Sequence, residues 1–136
     1  MEKISNSPDQ TKSIGSHFSN QLVLGNIIAI NGELGAGKTT FIKGILEGLG
    51  YEKNVSSPTY TLINEYESKY KIIHIDCYRE QDVDRWLDIG IMEYLNDSNV
   101  VIIEWSEYIK KILPDNIINI YIEHISEFER KIKILS

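Results

Sequence analysis

Gly32-Glu33-Leu34-Gly35-Ala36-Gly37-Lys38-Thr39 fits the pattern G-x-x-x-x-G-K-[ST], in which each residue type has a task. Glycines let consecutive backbone N–H groups curl around a polyphosphate, and the partial positive charge of a helix N-terminus adds to them. Lys38 is placed for the β- and γ-phosphates, and the Thr39 hydroxyl for one position on Mg²⁺. Such a loop needs an acid on the metal side at the end of a neighbouring strand. Val101-Ile102-Ile103-Glu104 supplies one, although a strand-end Glu says little by itself. His74 and Asp76 are two residues apart and therefore share a strand face. Asp76 then falls at the strand's carboxyl end, where open α/β sheets take ligands. Either it orders an attacking or metal-bound water, or it caps a turn beside a partly buried His. Ser56-Ser57-Pro58-Thr59 lies where many P-loop proteins sense the γ-phosphate, so Thr59 is a candidate hydroxyl contact; a plain turn is the other reading. No Asn-Lys-x-Asp tetrapeptide occurs to read guanine, and ATP is the expected nucleotide.

The flanks of the glycine loop suit this chemistry. Ile27-Ile28-Ala29-Ile30-Asn31 is a short apolar run of the kind that forms a buried parallel strand. From Thr39 to Leu49 the apolar residues recur every three or four positions, which predicts a helix closed by Gly50. Before the loop, a polar lead-in from Ile4 gives way to a short helical pattern. After it, the β-rich run ending near Tyr66 and the run from Lys71 to Asp76 are expected to pair as a hairpin. A helical stretch is expected from Gln81 to Leu95. The acidic run Glu80, Asp82, Asp84 and Asp88 makes either a solvated helix face or a surface for a basic partner. Val100 to Glu104 reads as a central strand, and Ser106 to Leu113 as a short helix. Residues 116–125 and 130–135 read as two antiparallel strands. Trp105 is expected to be a core aromatic flanking the sheet, and Cys77 a small core residue. The predicted fold class is α/β: a P-loop NTPase fold with a mixed, mostly parallel sheet flanked by helices and an antiparallel C-terminal part.

With 136 residues, 42% of them hydrophobic, the chain is expected to form one domain over 1–136. A net charge of −6 with scattered basic residues argues against autonomous nucleic-acid binding. A lone cysteine excludes an intrachain disulfide and the paired spacings of zinc sites. The first twenty residues lack a signal-peptide apolar run, and no stretch approaches the roughly 20 apolar residues of a membrane span. A cytoplasmic protein without membrane insertion is expected.

Taken together, Asp9-Gln10-Thr11 with Gly15, GELGAGKTTF (32–41), SSPTYTL (56–62), HIDCYR (74–79) and IIEWSE (102–107) resemble the TsaE (YjeE) family. These are small bacterial P-loop ATPases of tRNA threonylcarbamoyladenosine (t6A) biosynthesis. The likeness runs from about Thr11 to Pro114. Glu33 stands where the family usually has Asp, Cys77 where Leu is common, and Ser106 where Pro usually follows Glu-Trp. The resemblance implies nucleotide contacts from Thr11, near the adenine, and from Glu33, Leu34, Gly35, Ala36, Gly37, Lys38, Thr39, Thr40 and Thr59. It implies catalytic roles for Lys38, Asp76 and Glu104, with Mg²⁺ on Thr39 and Glu104. It further implies slow ATP hydrolysis, stimulated by partners, in a protein that works with TsaD and TsaB and reaches tRNA only through them. An assembly module that binds ATP with negligible turnover is the alternative. A small-molecule kinase is disfavoured because only Arg79, Arg85 and Arg130 are present to hold a transferring phosphoryl group.

Overall fold

The structure, a computed structural model, describes residues 1–33, 35–53 and 62–136. Leu34 and the candidates at 56–59, Thr59 among them, lie outside the described residues. Three strands carry the expected apolar runs: β2 (Ile27–Asn31), β4 (Lys71–Asp76) and β5 (Val100–Glu104). Burial on both faces explains why they read as nearly continuous hydrophobics rather than as alternating patterns. With β1 (Glu2–Ser5), β3 (Ile63–Glu67), β6 (Ile118–His124) and β7 (Arg130–Leu135) they form one sheet in the order β1-β7-β6-β2-β5-β4-β3. The four central strands, β6, β2, β5 and β4, run parallel. Antiparallel partners complete both sides: β3 as the expected hairpin with β4, and β7 and β1 beyond β6.

Helices α1 (Pro8–Ser19) and α2 (Lys38–Gly48) lie on one face. They pack Phe18, Phe41, Ile42 and Ile45 onto Ile28, Ile30, Ile102 and Ile120 of the sheet. The other face is covered by α3 (Val83–Ile89) and two 3-10 segments, Ile91–Glu93 and Ser106–Ile112. There Trp86, Ile91 and Ile109 meet Ile73, Ile75, Val101, Ile103 and the fully buried Cys77. Ser7 caps α1 by accepting from Gln10 N at 3.1 Å, with Pro8 opening the first turn, an arrangement that suits proline's missing donor. The two large helices approach very closely: a Cβ on Gly15 would strike Phe41 O, and one on Gly44 would strike Lys12 O. This crossing sets Thr11 of α1 beside the start of α2.

Several elements differ from expectation. The polar lead-in contains β1, which pairs with β7. The helical stretch predicted over 81–95 contracts to α3, because Gly90 takes a left-handed conformation (φ 93°) and leaves only a 3-10 turn after it. The helix expected over Ser106 to Leu113 is a 3-10 segment kinked at Ile109. Asp82, Asp84 and Asp88 are exposed, and Asp82 caps α3 by accepting from Asp84 N. Among the described residues no helix is long and apolar enough to cross a membrane.

Candidate functional site

The loop after β2 turns into α2 through Gly35 (φ 79°) and Gly37 (φ 103°), conformations that residues with a Cβ rarely adopt. Gly37 caps α2 without any side-chain hydrogen bond, and the first turn holds no acid. The opening amides of α2 therefore have no capping side chain, which fits an anion at this point. Thr39 and Thr40 are half-buried in that first turn, Ala36 is buried, and Glu33 and Gly35 are exposed.

Strand alternation explains what lies opposite. Val100, Ile102 and Glu104 share the face of β5 that packs under α2, and Ile72, His74 and Asp76 share the corresponding face of β4. The register sets Ile30, Glu104 and Asp76 in one row across β2, β5 and β4. Lys38, only 6% exposed, brings Nζ to 3.9 Å from Glu104 Oε1. Burial pushes the Lys38 ammonium below the usual lysine range, outweighing the attraction of Glu104, Asp76 and Glu107. His74 Nε2 lies 2.7 Å from Glu104 Oε2. Asp76 is half-buried, and burial raises its carboxyl against the hydrogen bond it accepts from Tyr78 N. Lys38, Glu104, Asp76 and the first turn of α2 thus come together around one point.

Trp105, expected to be a core aromatic flanking the sheet, is half-buried against the core of the α3 face and has a second contact that the sequence did not show. Among the described residues it is the one non-glycine with positive φ (58°). Its ring flanks the core of the α3 face and also lies under the Lys38 ammonium, 4.2 Å from Nζ to the ring centroid. Tyr78 also packs against it, with ring centroids 5.0 Å apart.

Thr11 is buried, with Oγ1 2.6 Å from Ser5 Oγ. Beside it opens a small cavity lined by Ser7, Pro8, Thr11, Gly37, Thr40, Glu127, Phe128 and Arg130. The cavity adjoins the glycine loop, as a base-binding recess would. Arg130 Nε donates to Ala36 O at 2.9 Å, and Nη1 donates to Ser126 O at 2.7 Å, tying the β6–β7 turn to the loop. Sequence reasoning missed the parts played here by Ser7, Glu127 and Phe128. No motif marks them, and only the placement of β7 next to β6 brings them in.

A strand, a glycine loop, a helix bearing a buried lysine and an acid on the adjacent parallel strand define an α/β fold of the P-loop NTPase type. Residues 5–132 match the family model for the threonylcarbamoyl adenosine biosynthesis protein TsaE. The tRNA threonylcarbamoyladenosine biosynthesis protein TsaE of Bacillus subtilis (strain 168) is 38% identical over 126 residues, covering 92% of this chain and 78% of that protein. The protein of the same name from Treponema pallidum (strain Nichols) is 32% identical over 134 residues, covering 98% of this chain and 99% of its own. The crystal structure of Bacillus subtilis YdiB superposes with a TM-score of 0.82 at 31% identity, covering 98% of this chain and 83% of that one. The chain belongs to the TsaE family.

Proposed function

We propose that this protein binds Mg-ATP on the Gly32–Thr39 loop, hydrolyses it slowly, and by that cycle serves the formation of N6-threonylcarbamoyladenosine at position 37 of tRNA. The observation that carries the site reading is the buried pair of Lys38 and Glu104, set between the uncapped start of α2 and the end of β5. The pathway comes from the names of the relatives.

In this reading the α2 amides and Lys38 bind the polyphosphate, and the recess beside Thr11 takes the base. Thr39 and Glu104 would hold Mg²⁺, whose charge offsets that of the phosphates. Asp76, half-buried at the carboxyl end of its strand, orients water. Burial of Lys38 and Glu104 strengthens their electrostatic effect on a ligand, because little water screens them. The net charge is −6 and the basic residues are scattered along the sequence, so in this reading the output is a conformational change read by a partner, with a TsaB–TsaD complex as the proposed reader.

The test is genetic and chemical together. Depleting the protein in its host should lower threonylcarbamoyladenosine in tRNA, and Lys38→Ala should not restore it. Phosphate release should be slow for the isolated protein and faster with TsaB and TsaD. Wild-type modification after depletion, with no substituting homologue, overturns the pathway assignment.

A further inference from the structure

Glu104 is shared between two partners that treat it differently. Oε2 is in hydrogen-bond contact with His74 Nε2 at 2.7 Å, whereas Oε1 stands 3.9 Å from Lys38 Nζ, beyond hydrogen-bond reach. All three side chains are buried, with His74 only 2% exposed. In surroundings so poor in water an ammonium and a carboxylate attract strongly, and an unrestrained Glu104 would swing the short distance onto Lys38. Closing that gap would occupy the lysine meant for phosphate and turn the acid away from the metal side. Something must hold the carboxylate back.

The His74 ring is built to do so. It stands on β4, on the same face as Asp76, with Ile102 of β5 and Asn64 of β3 as its neighbours in register. A ring on a central strand covered by α2 cannot follow the carboxylate. Its other nitrogen, Nδ1, is buried and has no hydrogen-bond partner among the described residues, so among them Glu104 is the group that the ring's nitrogens address. We propose that His74 is a positioning residue for Glu104: its Nε2–H holds Oε2 so that Oε1 faces the loop without closing on Lys38. Such a hydrogen bond behind a metal-binding carboxylate changes metal affinity or activity by about 10–100-fold when removed. The consequence for turnover rests on the Mg-ATP reading, but the pin itself is a property of the nucleotide-free protein.

Two measurements without nucleotide test the pin. Nitrogen-15 spectra of histidine-labelled protein should show the His74 ring protonated at Nε2, with a proton slow to exchange. Trp105 follows Glu104 in sequence and lies under Lys38, so its emission reports the carboxylate's position. His74→Leu should shift that emission. His74→Gln, whose carboxamide nitrogen can donate from nearly the same place, should keep it. With Mg-ATP, His74→Leu should lose about 10–100-fold in kcat with little change in KM, and His74→Gln should recover most of the loss. A ring protonated only at Nδ1 overturns the proposal, as does a His74→Gln variant as impaired as His74→Leu. If His74→Leu does not fold, the ring's protonation and the His74→Gln emission decide the matter. A wild-type protein with the expected ring signature but no ATP turnover would overturn the proposed function and leave the pin standing.

Discussion

Lys38→Met should lower stability without nucleotide and lower it further, relative to wild type, with nucleotide. Without nucleotide, wild-type Lys38 keeps a charge in a nearly dry site. Its folded-state pKa lies below the ordinary lysine value, so at neutral pH the charged side chain costs folding free energy, and that cost fades only as pH rises through the folded pKa toward the unfolded one. Against that cost stand the attraction of Glu104 across 3.9 Å with little water to screen it, and the ammonium over Trp105, which contributes about 0.5–2 kcal/mol. Methionine fills nearly the same volume, keeps a favourable contact with the indole, and leaves Glu104 bonded to His74. Removing one partner of a buried ion pair costs about 3–5 kcal/mol because the other charge stays buried without its counter-ion, and the contact of Glu104 with His74 sets the cost here near the lower end, about 3 kcal/mol. For a chain of this length that is a fall in Tm of roughly 9–15 °C. With Mg-ATP at about 100 times its Kd, wild type should gain about 2.7 kcal/mol and the variant almost nothing. Thermal melts should therefore show the variant below wild type in both states, with the gap widening when nucleotide is added. A nucleotide-free variant that melts as high as wild type refutes the account of Lys38 and Glu104 as a buried pair whose charges depend on each other.

Nucleotide binding should draw Lys38 off the Trp105 ring, so the emission change on titrating ATP should survive Trp86→Phe and vanish in Trp105→Phe; the reverse pattern would show that the geometry is wrong. Glu104→Gln should cut turnover far more than ATP binding, which draws on the loop's backbone donors, and Asp76→Asn should behave likewise; phosphate release set beside calorimetric affinity separates the two. Gly44→Ala should lower stability by about 1–2 kcal/mol, since the strain of a Cβ driven into Lys12 O outweighs the gain in helix propensity, and it should also weaken nucleotide affinity because α1 carries Thr11; an unchanged Tm contradicts the close helix crossing. The Cys77 thiol, fully buried and pushed up to about 12 by that burial, should react with a thiol reagent at neutral pH only as fast as the protein opens. Rapid labelling of the folded protein would place it elsewhere.

What the sequence made legible was local, and what it hid was set by pairing or by one residue's backbone. The glycine loop could be read because its strand, turn and helix are contiguous, and the apolar runs of β2, β4 and β5 because they are buried on both faces. Residues 2–5 show no such run, since three of the four are exposed, and their extension comes from pairing with β7 more than a hundred residues away. Alternation placed His74 and Asp76 on one face but could not say which strand stood beside them. Trp105 was legible as an aromatic flanking the core, but its contact with Lys38 was not, since its left-handed conformation is invisible in composition.

The same register argument shows how narrowly the site is specified. Glu104 reaches Lys38 only because β5 pairs with β2 so that Glu104 stands beside Ile30, and with β4 so that it stands beside Asp76. A slip of one residue would turn Glu104 to the face of Trp86 and Ile109, and would turn Val101 and Ile103 toward α2. Apolar residues on both faces of β5 would tolerate that exchange, because either face buries two of them equally well. The polar end of the strand is what makes one register better than the other: in the observed one Glu104 finds His74 and Lys38, and in the slipped one a buried carboxylate would have neither. The residues proposed to handle the nucleotide therefore also help to select the strand pairing that assembles them.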